Sequence, residues 1–577
     1  MTWSDITQHA RTLLGIAILI FGIPITLLTL ASCALLWLAW GWAGVVEYLP
    51  VVAGIDAVAA TALYFLHRAP PRAPGVPGPA VTLPFVGNVH LYIANRDRQP
   101  DWFYEMALKH GNFERAWSWC IPRAQGISCG KVIMLCTPEN VKHVLKTNFA
   151  NYVKGAMFKE TNHEFIGQGI FSSDGEAWRM HRKIASHMFT RRLLTEGTKI
   201  AVHESRRLVR RLRAAAAAGE EVDMQNLFFK FTMDVFCNIA FGIELKSLER
   251  AADDPHPFAA AFDGAQAHSM ERFGRVGWRL ERNLWFLFAR ERRFRRHIAT
   301  MNAFAFRVIR AKRRGGRDQL GPDLLSRFLE KGASFKGPSG GGAGFTDKEL
   351  RDLVVNFLLA GRDTTACALS WTLYELQRNP AVRARVREEA DSVFGADADA
   401  DADGGAGGET PAYDGLGEGR YTFDAVKRLA YTHAVVTETL RLHPSVPIDI
   451  KWSVGADVLP DGTPVAPDTV VSYVPFALGR SPKLFAPDPL AFRPARWLPG
   501  GGGGGAAEPG MFDTAVFNAG ARLCLGKSLA YLEVKLLTAV LAQRFDFACT
   551  RPMSAAYRSS LVMPMKHGLN VTVQPRA

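Results

Sequence analysis

The sequence predicts a mainly α-helical protein with a minor β-sheet portion, standing behind an N-terminal membrane anchor. Three observations predict it. From about residue 83 onward apolar residues recur at helical spacing, strand-like runs are few and short, and near the start the apolar character is almost unbroken from Leu13 to Trp40. A chain of 577 residues, 48% hydrophobic and 21% charged, has globular composition and can bury a large core. No repeat of solenoid period is visible.

The Leu13–Trp40 stretch exceeds the roughly 20 residues that cross a bilayer. It also exceeds the roughly 7–15 residues of a signal-peptide core, and no clear small-residue cleavage site follows it. A membrane span is therefore expected. The weaker segment Val51–Leu66, which contains Asp56, reads as a second span, half of a hairpin or a segment lying in the interface. His67, Arg68 and Arg72 follow, and positive flanks tend to stay cytoplasmic, which places the bulk of the chain in the cytosol and leaves the sequon Asn570-Val571-Thr572 unglycosylated. The run Pro70–Pro79 is too proline-rich for helix or sheet and reads as a stiff spacer. The expected organisation is a membrane anchor over 1–69, a hinge over 70–82 and one catalytic domain over 83–577.

The formal charge of +14 favours an anionic surface such as a lipid leaflet or an acidic protein. Its basic residues are interleaved with acids and apolar residues, and no RNA- or DNA-binding signature accompanies them, so nucleic acid is not the expected partner. Eight cysteines without a CxxC pair exclude a disulfide scaffold and a structural zinc site. Most are expected to be reduced, buried, small apolar residues.

Helices are expected over Pro100–His110, Glu176–Met188, Ala201–Ala218, Asp223–Phe241, Phe258–Arg275, Leu284–Lys312, Thr346–Arg378, Ala381–Phe394, Phe423–Leu442 and Lys527–Phe545. Strands are expected over Val132–Cys136, Ile448–Ser453, Val470–Val474 and Leu569–Val573. Gly337–Gly344, Ala396–Gly408 and Gly500–Gly505 read as surface insertions; none has the strand before and Gly-Lys-Ser/Thr after that a phosphate loop needs.

The exceptional cysteine is Cys524, in Phe517-Asn518-Ala519-Gly520-Ala521-Arg522-Leu523-Cys524-Leu525-Gly526, just before an apolar-periodic helix. A thiol there meets the positive end of the helix dipole and free N–H groups, which favour thiolate. Gly520 and Gly526 permit a tight loop that a flat partner can approach closely. Arg522 is placed to meet an anion at the rim. A thiolate so presented, with an arginine for a propionate, suits an iron porphyrin. A buried structural cysteine is the bland alternative.

Two more patterns carry chemistry. Glu438-Thr439-Leu440-Arg441 sets an acid and a base one helical turn apart. Thr346-Asp347-Lys348-Glu349 is a capping box that opens a long apolar helix, and within it lies Ala360-Gly361-Arg362-Asp363-Thr364-Thr365. An acid and a hydroxyl midway along an apolar helix are costly unless they serve something. The small residues before them thin one side of the helix and leave room for a ligand. A kink where Thr364 bonds back to a carbonyl one turn earlier is the plainer reading.

Over roughly Leu83 to the C-terminus, the cysteine loop, the Glu-x-x-Arg pair, the later Phe492-Arg493-Pro494-Ala495-Arg496 and Trp178-Arg179-Met180-His181-Arg182 together resemble the cytochrome P-450 family. The resemblance implies that family's triangular helical prism. It also implies haem b (iron protoporphyrin IX) with Cys524 as axial iron ligand. Phe517, Gly520 and Gly526 shape the cofactor loop, Arg522, Trp178 and Arg182 hold propionates, and Ala360 lies over the distal face. Glu438, Arg441 and Arg496 form the network that supports the cysteine loop; Ala495 stands where the family often has glutamate. Thr364 is expected to hydrogen-bond the activated oxygen and Asp363 to sit on the proton route from solvent.

Gly169–Trp178, Asp457–Thr463 and Ala477–Arg480 resemble more finely the plant-type fatty-acid ω-hydroxylase clan. That implies hydroxylation at or near the methyl end of a long acyl chain, with electrons from a membrane-bound NADPH–cytochrome P-450 reductase. The N-terminal anchor is expected to serve the endoplasmic reticulum or another membrane. By family position the substrate pocket takes Phe158, Phe165, Ile166, Phe357, Val446, Ile448, Leu561 and Val562, each equally readable as plain core. The alternatives are a haem enzyme acting on another lipid such as a sterol or carotenoid, a reductase-independent hydroperoxide-rearranging relative, and a non-enzymatic haem sensor. Asp363-Thr364 argues against the second. The third predicts no oxygen-dependent turnover.

Overall fold

The computed structural model describes residues 54, 76–78, 89–116, 131–251, 254–275, 278–316, 320–332, 344–395, 419–499, 508–558 and 560–576. The expected span Leu13–Trp40 lies outside these residues, as do the second apolar segment apart from Gly54, most of the proline-rich spacer and nearly all of the three insertions. Among the described residues no helix is long and apolar enough to cross a membrane.

Ten helices of twelve residues or more stand among the described residues: α1 (Gln99–His110), α2 (Gly175–Ser186), α3 (Arg191–Ala218), α4 (Met224–Phe241), α5 (Pro257–Gly274), α6 (Ala289–Arg314), α7 (Asp347–Arg378), α8 (Pro380–Phe394), α9 (Ala430–Leu442) and α10 (Lys527–Arg544). The chain divides into two compact units, Met1–Leu135 with Ser453–Ser472, and Cys136–Trp452 with Tyr473–Ala577.

In the first unit, Pro100 stands at the start of α1, where its missing N–H costs nothing, and Gly111 at φ 70° closes the helix. Strands Phe113–Ala116 and Lys131–Leu135 pair antiparallel, Phe113 opposite Met134, and the run Val132–Leu135 is buried. A short ribbon pairs Asp457 with Val465 and turns through Gly462 at φ 85°.

The second unit is built round α7, which is buried along most of its length and opens on the expected capping box: Thr346 Oγ1 accepts from Glu349 N–H while the Glu349 carboxylate accepts from Thr346 N–H. Helices α4, α6, α9 and α10 all pack against it. A three-stranded antiparallel sheet runs Val222–Asp223, Asn570–Pro575, Phe545–Cys549, with Val571 opposite both Val222 and Cys549.

Three boundaries differ from expectation. Helix α3 starts at Arg191, ten residues before the expected Ala201, because Leu193, Gly197 and Ala201 form a buried stripe too sparse to read as periodic. Gly197 belongs to it by omission: a Cβ there would come within 3.1 Å of Leu529 of α10. The helix expected over Phe423–Leu442 is two, Phe423–Arg428 and α9, because Glu389 of α8 accepts the N–H groups of Tyr431 and Thr432 at 2.6 and 2.8 Å and so caps a new helix. Helix α6 begins at Ala289 rather than Leu284, after extended Phe288.

Candidate active site

The cysteine loop is closed by its own backbone. Cys524 N–H donates to the Phe517 carbonyl at 2.8 Å, and Gly520 at φ 59° turns the chain where any Cβ would lie 2.1 Å from the Leu145 carbonyl oxygen. Only glycine fits there. Helix α10 starts at Lys527, with Gly526 as its cap.

The free surface of Cys524 faces a cavity, and protein encloses the thiol otherwise. Burial therefore pushes its pKa up; the N–H groups of Gly526 and Lys527 and the charges of Arg182 and Lys527 pull the other way and do not win. The helix terminus alone, contrary to the sequence expectation, does not make the thiolate. A bound metal cation does, since a coordinating thiol is deprotonated outright.

Glu438 anchors the adjacent scaffold. Its carboxylate accepts from Arg441 Nε and Nη2 at 2.8 and 2.7 Å, from Arg496 Nε at 3.2 Å, from the Arg493 N–H at 2.9 Å and from Trp497 Nε1 at 2.9 Å. Arg441, 1% exposed, spends its remaining donors on the carbonyls of Gly479, Pro489 and Ala491. Trp497 escaped the sequence reading, although it follows Arg496 directly. From α9 the support passes to the loop through Tyr531: Thr437 bonds its hydroxyl at 3.1 Å, His433 stacks on its ring at 4.4 Å, and the same ring packs on Phe517 at 5.4 Å.

The cavity, about 290 Å³, brings the sequence-selected residues together. Trp178, Arg182, Ala360, Phe517, Arg522, Cys524 and Gly526 line it; Gly520 does not, standing behind in the loop. All eight residues selected for the substrate pocket line it too: Phe158, Phe165, Ile166, Phe357, Val446, Ile448, Leu561 and Val562. Thr364 and Thr365 line it from α7, whereas Asp363 does not.

The donor set fits an iron porphyrin. Cys524 offers its sulfur to the cavity, Arg182 lines it with no ion-pair partner among the described residues, and Arg522 Nε is buried without an acceptor. Arg522 lies 4.4 Å over the Trp178 ring and reaches Asp174 at 2.8 Å, so the rim arginine is already held by a carboxylate of this chain.

A second rim cluster was missed in the sequence. Asp449 accepts from Lys154 Nζ at 2.8 Å, from Tyr473 Oη at 2.5 Å and from Asn518 Nδ2 at 3.3 Å. Burial opposes its charge, but Lys154 and Lys451 beside it hold its carboxyl well below the usual range. The available signal was Asp449 and Lys451, opposite charges two residues apart and so on one face of a strand whose other face carries Ile450 and Trp452.

Midway along α7 the picture is looser. Thr364 Oγ1 donates to the Ala360 carbonyl one turn back, and Ser445 Oγ donates to the Thr364 carbonyl at 2.8 Å. The room expected beside Gly361 is partly taken by Phe236 of α4, whose ring would lie 2.0 Å from a Cβ at that position. Arg362 pairs with Asp263 and, at 2.9 Å, with Asp363 Oδ1, while Asp363 Oδ2 has no hydrogen-bond partner among the described residues. Burial raises the Asp363 pKa to about 6, with Arg362 lowering it, Asp263 raising it and the nearby cavity-lining Gln266 lowering it.

Known proteins resemble this chain. The family profile "Cytochrome P-450" matches residues 77–569. Cytochrome P-450 704C1 of Pinus taeda is 34% identical over 506 residues, covering 85% of this chain and 92% of that one. Cytochrome P-450 704B1 of Arabidopsis thaliana is 33% identical over 538 residues, 90% of this chain and 98% of that one. Cytochrome P-450 94A2 of Vicia sativa is 33% identical over 460 residues, 77% and 82% of the two chains. The crystal structure of the cytochrome P-450DA heme domain superposes with a TM-score of 0.70 at 23% identity, over 87% of this chain and 98% of that one, and so shares its fold. The cysteine loop, the Glu438 network and these likenesses together place the chain in the cytochrome P-450 family, as a haem monooxygenase of mainly helical fold.

Proposed function

We propose that this monooxygenase hydroxylates the terminal or near-terminal carbon of long-chain fatty acids. Its electrons come from NADPH through a membrane-bound cytochrome P-450 reductase. Residues 1–69 anchor it to the endoplasmic reticulum, 70–82 form the hinge, and 83–577 form the catalytic domain in the cytosol. The cavity carries this reading: Phe158, Phe165, Phe357, Val446, Ile448 and Leu561 supply an uncharged wall to the same space that Cys524 and Thr364 enter. A flexible acyl chain matches such a wall, because each buried methylene contributes about 0.8 kcal/mol. The resemblance to the plant fatty-acid ω-hydroxylase clan adds independent support.

Cys524, Trp178, Arg182 and Arg522 would hold the haem, which when bound supplies dioxygen activation with electron density from its thiolate ligand. The chain's own residues do the rest. A terminal methyl is harder to oxidise than an inner methylene, so the phenylalanine wall must hold the chain end in place and exclude the neighbouring carbons. Thr364, once its hydroxyl leaves the Ala360 carbonyl, can donate into the cavity. Asp363, its pKa raised by burial to about 6, can take up and release a proton close to neutrality, and Gln266, which acts on it, lines the cavity.

The test is to incubate membranes containing the protein and the reductase with free fatty acids from dodecanoic to octadecanoic, then locate the hydroxyl by mass spectrometry. An ω or adjacent hydroxyl is expected. Products hydroxylated only at inner carbons would overturn the regiochemistry, and the absence of any hydroxylated acid would overturn the substrate class.

A further inference from the structure

Between α5 and α6 stands a short helix, Trp278–Asn283, and three guanidiniums gather round its first residue. Arg272, Arg282 and Arg279 lie 5.2, 5.3 and 5.8 Å from the Trp278 ring. Three carboxylates face them. Arg272 pairs with Glu164 at 2.9 Å and with Glu291 at 2.8 Å, Arg279 Nε donates to Glu160 at 2.9 Å, and Arg282 reaches the same Glu160 at only 3.6 Å. Charge balances here, but hydrogen bonding does not. Arg272 and Trp278 are each 2% exposed, yet Arg272 Nε and Trp278 Nε1 have no acceptor among the described residues. Arg282, partly exposed, has its loose contact with Glu160 as the only polar partner of its side chain among them. Guanidinium and indole are donors only, so the partner this cluster lacks is an acceptor. Buried donors without one call for an explanation.

The surroundings say which acceptor. Glu160 and Glu164 stand on the short helices Gly155–Thr161 and His163–Ile166, interleaved with the cavity-lining Phe158, Asn162 and Phe165. Arg272 follows the lining residue Met270 on α5, and Phe273 beside it packs on Phe158 at 6.1 Å. The cluster therefore adjoins the phenylalanine wall. The cations that line the cavity among the described residues are Lys154, Arg182 and Arg522, and two of them are already held, Lys154 by Asp449 and Arg522 by Asp174. A fatty acid whose methyl end is turned toward Cys524 carries its carboxylate at the opposite end. That end needs donors elsewhere, and a carboxylate is an acceptor only.

We propose that Arg282, with the donors gathered round Trp278, is a carboxylate site that holds the head of the substrate while its far end is oxidised. The proposal rests on the fatty-acid reading above and names the residue that decides which end of the chain goes in first. Arg282 is the recruiting group, because a guanidinium pairs with a carboxylate through two parallel hydrogen bonds and its present contact is too long to be one. Glu160 competes with the ligand for that guanidinium. Removing Arg282 and removing Glu160 should therefore act on acid binding with opposite signs, which loss of packing alone would not do.

The test is calorimetric titration of the haem-loaded full chain at neutral pH with dodecanoic acid, its methyl ester and dodecanol. The acid should bind about tenfold more tightly than the ester, the advantage of one charge-assisted pair. Arg282→Gln should remove that advantage while leaving ester binding and the absorption of the reduced carbon monoxide complex unchanged. Glu160→Gln should raise the affinity for the acid about threefold, the worth of one partly exposed ion pair, and leave the ester where it was. If acid and ester bind alike in the wild type, or if Arg282→Gln keeps the preference for the acid, the proposal falls and the fatty-acid reading stands. If none of the three compounds binds, the fatty-acid reading falls and takes the proposal with it. Should Arg282→Gln fail to load haem, Glu160→Gln decides: tighter acid binding supports the site, and unchanged or weaker acid binding overturns it.

Discussion

Glu438 and Asp363 are both buried carboxylates with an arginine close by in sequence, and the structure treats them in opposite ways. Glu438 receives donors from Arg441, Arg496, Trp497 and the Arg493 backbone, and neither oxygen is left over. Asp363 shares Arg362 with Asp263 and keeps one oxygen without a hydrogen-bond partner among the described residues. A fully satisfied buried network rigidifies what it holds; an unsatisfied buried group calls for an explanation, a catalytic role being one. The first lies beside the cysteine loop, whose sulfur must stay in place. The second lies in the helix segment where the proposed function needs a hydroxyl and a proton to move.

The sharpest way to break this comparison is to unbalance Glu438. Glu438→Gln leaves the Arg441 guanidinium, fully buried, without its counter-charge. Removing one partner of a buried pair costs about 3–5 kcal/mol. The variant should unfold at much lower urea and fail to retain haem, read by the denaturation midpoint and by haem content after purification. A midpoint near the wild type would mean that the network is dispensable.

Next in size is Gly520→Ala. It asks an L-residue to adopt φ 59° and to place a Cβ 2.1 Å from a backbone oxygen that cannot step aside cheaply. Strain of this kind costs about 1–3 kcal/mol. The loss should appear in thermal stability and in weakened haem retention, with α7 and its spectroscopic response to substrate unaffected.

The same contrast explains what could be read before folding. The cysteine loop, Glu438 with Arg441, and the capping box at Thr346 are local patterns, complete within about ten residues, and a sequence displays them whole. Trp497 and Asp449 acquire their character from partners that only the tertiary fold supplies: Asp449 meets Lys154 from 295 positions away. The space beside Gly361 could not be judged in advance for the same reason, since Phe236 arrives from another helix. Even the break at Leu429 depends on Glu389 of a neighbouring helix.

Thr364→Ala tests the looser region. Its hydroxyl bonds only to the Ala360 carbonyl within the helix, a contact that contributes little to stability. The melting temperature should hardly move. The share of NADPH electrons recovered in product should nevertheless fall about tenfold, with hydrogen peroxide making up the difference. Equal loss of stability and of coupling would place Thr364 with Glu438, as structure rather than chemistry.

The smallest effect is the most diagnostic. Asp263→Asn removes a carboxylate that raises the Asp363 pKa, and it frees Arg362 to serve Asp363 alone; both changes lower that pKa from about 6. The sign of the consequence follows from linkage. With its folded pKa above the ordinary 3.8, Asp363 keeps a proton in the folded chain that the unfolded chain has lost, so its contribution to stability falls as pH rises from about 4 to about 6. In Asp263→Asn that window narrows, and the urea midpoint should depend less steeply on pH across it. The fall in hydroxylation rate that accompanies Asp363 ionisation should move to lower pH by the same amount. A pH profile that stays in place while the stability curve shifts would separate Asp363 from proton delivery.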